Sequence, residues 1–323
     1  MLQDAYNRKI DYLRISVTDR CNLRCIYCMP EGEILQKAPC EILTFEELAL
    51  LVKLAVSLGI NKVKITGGEP LMRRNLPRLF SLLFSISGLQ DISLTTNGVL
   101  LERYAKELRE TGLKKINISI DTLKQNKFER IARFGCLEQV LKGIEAARSQ
   151  GFLLKLNVVV LRGINDDEIL DFARFAQEKN VTLRFIELMP MAQGLKNSDD
   201  LFVSCAEIKE RLELSGYLKP INANLGNGPA QYYQLKGTVL IVGFISPISC
   251  KFCSSCNRIR LTSSGMLMPC LASSDGFDLK GPLRRNKEGD ILALLNNAIF
   301  SKPLEHDFVL SIPGQHLMSQ IGG

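Results

Sequence analysis

Between Ile10 and Leu188 short apolar runs alternate with longer segments in which apolar residues recur every three or four positions. The runs read as strands at 10–17 (IDYLRISV), 63–66 (VKIT), 91–95 (DISLT), 115–121 (KINISID), 153–160 (LLKLNVVV) and 181–188 (VTLRFIEL). The segments between them read as helices near 46–59, 75–86, 100–111, 124–131, 137–150 and 166–179. Thr44 opens the first helix in a capping box with Glu47, and Gly59 stops it. Strands alternating with helices predict a parallel sheet with crossover helices, and the strands read as apolar on both sides, covered by helices on both faces. Six such units (βα)6 form either an open doubly wound sheet or a partial TIM-type barrel, and periodicity does not choose between them. In both, chemistry belongs at the C-terminal ends of the strands.

After residue 190 the pattern changes. Residues 191–200 (MAQGLKNSDD) read as a polar loop, 205–215 as a helix, and 224–233 (NLGNGPAQYY) as a Gly-rich stretch ending in a strand. A strong strand follows in 237–245, then a β-hairpin over 258–270 and a last helix at 288–300. The expected division is therefore 1–190 and 191–323, a large α/β domain with a smaller appended region, which suits a chain of 323 residues. There is no internal repeat. Hydrophobic content of 46% supplies a sizeable core and excludes a disordered chain. No run of eighteen apolar residues occurs, so no membrane span is expected. The first ten residues lack an apolar targeting segment, which makes a cytoplasmic location the expectation.

In a reducing compartment, ten cysteines point to metal or catalysis rather than to disulfides. Cys21, Cys25 and Cys28 are spaced CxxxCxxC on the loop after the first strand. A [4Fe–4S] cluster ordinarily takes four thiolates, so three close ones leave one iron open for another ligand. Zinc would need a fourth ligand that this loop does not offer, and a coincidental spacing is the third alternative. Cys253 and Cys256 form a CxxC pair, with Cys270 after thirteen intervening residues. Here a second open cluster and a zinc knuckle completed by Cys250 both remain open. His306 and His316, the two histidines, are far in sequence from both clusters, which weakens a Cys/His zinc site and a histidine base. Arg258 and Arg260 alternate on one strand face beside the second cluster, an arrangement suited to a polyphosphate, or otherwise simply solvated. Lys155 and Arg184 interrupt apolar strands and need an anion or a hydrogen-bonding partner. The net charge of +7 suits a phosphate-bearing ligand, nucleic acid or solubility alone.

CxxxCxxC with Tyr27 before the third cysteine, and Gly67-Gly68-Glu69-Pro70 after the second strand, resemble the radical S-adenosylmethionine (SAM) superfamily. DYLRISVTDRCNLRCIYCMP, ITGGEPLMRR, LTTNG, INISIDTL, RFIELMPM, FCSSCNRIRLTSSG and the terminal IGG together resemble the GTP 3′,8-cyclase family, from Asp4 to Gly323. The resemblance implies a partial (βα)6 TIM-type barrel with a C-terminal α+β region, two [4Fe–4S] clusters, and SAM. It implies a lyase of molybdenum cofactor biosynthesis that binds GTP between the clusters, abstracts a hydrogen from ribose C3′ and joins that carbon to guanine C8. Carried over by motif, Cys21, Cys25, Cys28, Cys253, Cys256 and Cys270 hold the clusters. Tyr27, Gly68, Ser119 and Met189 hold SAM; Arg14, Lys64, Thr95, Lys155, Arg258 and Arg260 hold GTP. Arg14, Arg258, Arg260, Gly322 and Gly323 serve catalysis, the glycine tail reaching the active site so that truncation harms chemistry more than folding. Lys64 stands where the family commonly has Arg, keeping the charge but losing the bidentate fork. Cys250 is expected to be free. Implied partners are a downstream cyclic pyranopterin monophosphate synthase, an electron donor such as flavodoxin or ferredoxin, and a second copy in a homodimer. A radical SAM peptide modifier with an auxiliary cluster, and a zinc module for nucleic acid, are the competitors. The first ordinarily carries more cysteines and lacks NRIR with the double glycine. Against the second, basic residues are dispersed and no basic-aromatic stripe is present, so neither nucleic acid nor membrane is an expected partner.

Overall fold

The computed structural model describes residues 2–30, 32, 36–190, 198–222, 225–226, 228–306, 308 and 318–322. The polar loop expected at 191–200 falls mostly outside the described residues, as does Gly323.

The six N-terminal strands are β1 (Tyr12–Ser16), β2 (Lys62–Thr66), β3 (Asp91–Thr96), β4 (Lys115–Ser119), β5 (Leu153–Val159) and β6 (Thr182–Ile186). They pair in chain order, all parallel. The crossovers carry α1 (Phe45–Ser57), α2 (Leu76–Phe84), α3 (Leu101–Glu110), α4 (Gln125–Ala132), α5 (Leu137–Ser149) and α6 (Ile169–Lys179). The capping box of α1 is formed: Thr44 Oγ1 accepts from the Glu47 N–H at 3.1 Å, and Glu47 Oε2 accepts from the Thr44 N–H at 2.7 Å. The helix expected from 166 begins as a 3-10 turn, Asp166–Glu168, before α6.

The chain continues through α7 (Cys205–Glu213), β7 (Leu218–Pro220), β8 (Gln231–Leu235), β9 (Ile241–Ile245), β10 (Arg258–Leu261), β11 (Met266–Met268), β12 (Phe277–Asp278), α8 (Lys280–Arg284), α9 (Glu288–Phe300) and α10 (Met318–Ile321). These strands build no separate sheet. β9 adds in parallel to β6 and β10 adds in parallel to β1, so the order runs β12-β11-β10-β1-β2-β3-β4-β5-β6-β9-β8-β7. The partial barrel is thus extended at both edges by the C-terminal region, with short antiparallel strands outermost.

One expectation is corrected here. The strands are not apolar on both sides. Leu13, Val63, Leu94, Ile116, Leu156 and Leu183, at most 2% exposed, belong to the hydrophobic core. On the other face, register sets Arg14 beside Lys64 and Arg260, Thr95 beside Asn117, and Asn157 beside Ser119 and Arg184. A flat sheet covered twice would bury both faces in apolar packing. A curled sheet turns its inner face toward a lumen, and a lumen that holds a polar ligand is lined by polar side chains.

Candidate functional site

The inner face encloses a cavity of about 260 Å³. Arg14, Lys64, Thr95, Ser119, Arg258 and Arg260 line it from the strands, Tyr27 and Met189 from strand-end loops, and Cys253, Cys256 and Cys270 from the second cysteine motif. Lys155 lines an adjoining smaller recess that shares Tyr12, Lys64 and Arg184 with the main cavity. Gly68, Cys21, Cys25, Cys28 and Gly322 are not among the lining residues.

The cavity is cationic. Arg14, Lys64, Arg184, Arg258, Arg260 and Lys302 face it against two carboxylates among the described residues, Asp121 and Glu187. Both acids are already engaged. Glu187 accepts from the N–H groups of Cys205, Ile248 and Ser249 at 2.9, 3.0 and 3.0 Å and from the Ser249 hydroxyl. Asp121 accepts from the Tyr27 hydroxyl at 2.5 Å and the Val159 N–H at 2.8 Å, and burial lifts it to about 6. The cations therefore press on one another. Burial, then Arg184 and Arg14, push Lys64 well below the ordinary lysine range. Burial, reinforced by Arg184, lowers Lys155 to about 8. Burial brings Arg14 down to about 10 despite a favourable contribution from Tyr12. Arg184 donates to Asn117 Oδ1 at 2.6 Å, while its Nε has no hydrogen-bond partner among the described residues. Such a set is completed by a polyanion.

The first cysteine loop is braced by the next two strand-end loops. The Cys28 and Met29 N–H groups donate to the Cys25 carbonyl at 2.9 and 3.0 Å, turning the chain tightly. Cys21 Sγ accepts from the Leu23 N–H at 3.4 Å and Asn97 Nδ2 at 3.8 Å. The Gly68 N–H donates to the Thr18 carbonyl, and the Glu69 N–H to the Arg20 carbonyl, both at 2.7 Å. A Cβ on Gly68 would lie 2.4 Å from the Arg20 carbonyl oxygen, so this approach requires glycine. Glu69 is fully buried and accepts from the Leu71 N–H (3.0 Å), Thr96 Oγ1 (2.7 Å) and the Asn97 N–H (2.7 Å). Burial, then the charges of Asp121, Cys28 and Cys21, raise the Cys25 thiol well above its ordinary value, which places the three sulfurs in one electrostatic neighbourhood. Among the described residues no three Cys, His, Asp or Glu side chains are gathered as one ion would gather them. A cubane makes a different demand, one thiolate on each of several iron corners, and three cysteines on one tight loop fit it.

At the second motif, burial pushes Cys256 up, but Arg258 and Lys302 outweigh it and hold it at about 7. The Arg258 guanidinium lies 3.9 Å and the Lys302 ammonium 3.8 Å from Cys256 Sγ. Cys253 is raised by burial while a hydrogen bond from the His306 backbone lowers it, and it feels Cys270 and Cys256. His306 is therefore next to a cysteine site after all, contrary to its distance in the sequence. The segment after α9 folds back, and His306 Nε2 bonds the Pro247 carbonyl at 2.8 Å while its ring lies 4.1 Å from that of Phe308. Cys250 is exposed and not disulfide-bonded. From the tail, the buried Gly322 presents its carbonyl to Arg260. Its φ is 72°, and a Cβ there would lie 2.2 Å from Thr66 Oγ1. Sequence reasoning missed Asp121, Glu187, His306 and Lys302. Glu187 had a usable signal, an acid closing the apolar run of β6, whereas Lys302 follows a helix end and had none.

Residues 15–176 match the Radical SAM superfamily and residues 181–308 match Molybdenum Cofactor Synthesis C. The curated GTP 3′,8-cyclase of Moorella thermoacetica is 47% identical over 324 residues, covering 100% of both chains. That of Alkaliphilus oremlandii is 46% identical over 325 residues, again covering 100% of both. The chain belongs to the GTP 3′,8-cyclase family. Its fold is also that of Streptococcus suis SuiB, at 13% identity, a TM-score of 0.64, and coverage of 93% of this chain and 68% of that one. For a GTP 3′,8-cyclase family member, the superfamily match implies a [4Fe–4S] cluster and SAM. No helix among the described residues is long and apolar enough to cross a membrane.

Proposed function

We propose that this chain converts GTP to (8S)-3′,8-cyclo-7,8-dihydroguanosine 5′-triphosphate, the first step of molybdenum cofactor biosynthesis. The observation that carries it is one cavity lined both by Tyr27, Ser119 and Met189 and by the second cysteine triplet, with Arg14, Lys64, Arg184, Arg258 and Arg260 along the same wall. Cys21, Cys25 and Cys28 hold one [4Fe–4S] cluster, and Cys253, Cys256 and Cys270 hold a second. With SAM bound, the first cluster supplies one-electron chemistry that ends in hydrogen-atom abstraction from the substrate. Tyr27, Gly68, Ser119 and Met189 orient SAM, Tyr27 being fixed by Asp121. Arg14, Lys64, Thr95, Lys155, Arg258 and Arg260 orient GTP, with Arg184 beside them. Their crowded charges are relieved by the triphosphate. Gly322 presents its carbonyl to Arg260 and so helps to hold that guanidinium at the cavity wall. The product passes to a cyclic pyranopterin monophosphate synthase, electrons arrive from a flavodoxin or ferredoxin, and the enzyme works in the cytoplasm as a homodimer.

Anaerobic incubation with GTP, SAM and a reductant tests this. We expect 5′-deoxyadenosine to form only when GTP is present, and reconstituted protein to hold about eight irons per chain. A protein that binds only zinc, or that cleaves SAM equally well with ATP, overturns it.

A further inference from the structure

Lys302 is 3% exposed, at the point where the chain leaves α9. Its ammonium donates to the Arg258 carbonyl at 2.8 Å and the Pro269 carbonyl at 2.7 Å, and lies 3.8 Å from Cys256 Sγ. It thus joins the start of β10 to the residue before Cys270. Its position is fixed from behind by Arg8, which pairs with Asp4 at 2.5 Å and donates to the carbonyls of Cys253, Pro303 and Leu304. Among the described residues no carboxylate pairs with Lys302; the negative groups that favour its charge are Cys256 and Cys270. A buried ammonium served only by carbonyls is costly unless an anion stands beside it. A cubane held by three thiolates is anionic, and more so when reduced.

Resting on the two-cluster reading above, we infer that Lys302 is a positioning residue of the second site. It holds the two cysteine segments together, and its buried charge stabilises the reduced cluster, raising the reduction potential. Net charge and hydrogen bonds to the sulfurs are what set such potentials. Lys251, in the same cysteine loop, supplies the contrast. It is 42% exposed and already paired with Glu305, so solvent and an acid screen it.

The test is a redox titration followed by electron paramagnetic resonance on the anaerobically reconstituted full chain, with the second-site signal identified as the one that survives Cys25→Ala. Lys302→Met is expected to move the second-site midpoint negative while iron per chain is kept. Lys302→Arg and Lys251→Met are expected to stay near wild type. Loss of second-site iron in Lys302→Met with recovery in Lys302→Arg also supports the role. A midpoint unchanged in fully loaded Lys302→Met overturns it, as does equal iron loss in both Lys302 variants, which leaves a purely structural residue. Wild-type protein that reconstitutes a single cluster defeats the two-cluster reading itself, a result visible before any variant is made.

Discussion

A lysine inside a strand carries information because burial makes its charge conditional. Lys155 alternates with Leu154 and Leu156, both buried, and points to the lumen where burial and Arg184 depress it to about 8. Below that value the ammonium is present; as pH rises through it the charge is lost, and on the proposed reading triphosphate affinity falls with it. GTP binding to the loaded enzyme, measured by calorimetry, should therefore weaken across a step near pH 8. Lys155→Met should bind about tenfold more weakly at pH 7, a loss of about 1.4 kcal/mol, and lack that step. A flat wild-type profile would remove Lys155 from the triphosphate contacts. Lys155 and Arg184 were legible in the sequence because a cation in an apolar run has few bland explanations. Asp121 and Lys302 were not, since the partners that mark them, Tyr27 and Cys256 among them, are brought to them only by the fold.

Among elements, the strands and their crossover helices were legible where apolar periodicity ran for a full strand or several helical turns. The helix read at 288–300 is α9, Glu288–Phe300. β7, β12, α8 and α10, of two to five residues each, are too short to show a period. The inner faces misled because a lumen breaks the two-sided apolar pattern of a covered sheet. What periodicity could not reveal at all is the tie between strand ends. GGEP was singled out for its glycines, yet Glu69 joins its own loop to the end of β3, while the glycines seat that loop on the cysteine segment. Glu69→Ala leaves the Leu71 and Asn97 N–H groups and the Thr96 hydroxyl without their acceptor. At about 1–3 kcal/mol for an orphaned buried donor, partly relieved by water, a net loss of about 3 kcal/mol is expected. Urea unfolding of the metal-free chain should show a lower midpoint with an unchanged slope. Glu69→Gln, which keeps one acceptor, should lose about half as much. Equal midpoints for wild type and Glu69→Ala would show that the loops hold without the tie.

At the scale of the molecule, the C-terminal region is part of the barrel's frame. β10 meets β1 with Tyr12 opposite Arg258, and this pairing sets Arg260 beside Arg14 in the lumen. No local pattern could announce a pairing over so long a sequence separation. The tail is another matter, since its described residues join no sheet. α10 buries Ile321 to 2% exposure, and Gly322 meets Arg260 through its carbonyl, above Thr66. Deleting residues 318–323 removes the buried Ile321 side chain, worth about 2–3 kcal/mol, and leaves the barrel's strand pairing intact. It also leaves Arg260 without that carbonyl and opens the cavity to water. Cyclisation should fall by about a hundredfold or more, with iron content and far-ultraviolet circular dichroism close to wild type. Gly322→Ala should reproduce most of the loss without shortening the chain, because its Cβ cannot share space with Thr66 Oγ1 and the positive φ disfavours any side chain. Thr66→Ser keeps that hydroxyl and should not restore Gly322→Ala, whereas Thr66→Gly should restore part of it. If the truncated chain turns over normally, the tail is packing alone, and the contact between Gly322 and Arg260 has no part in the chemistry.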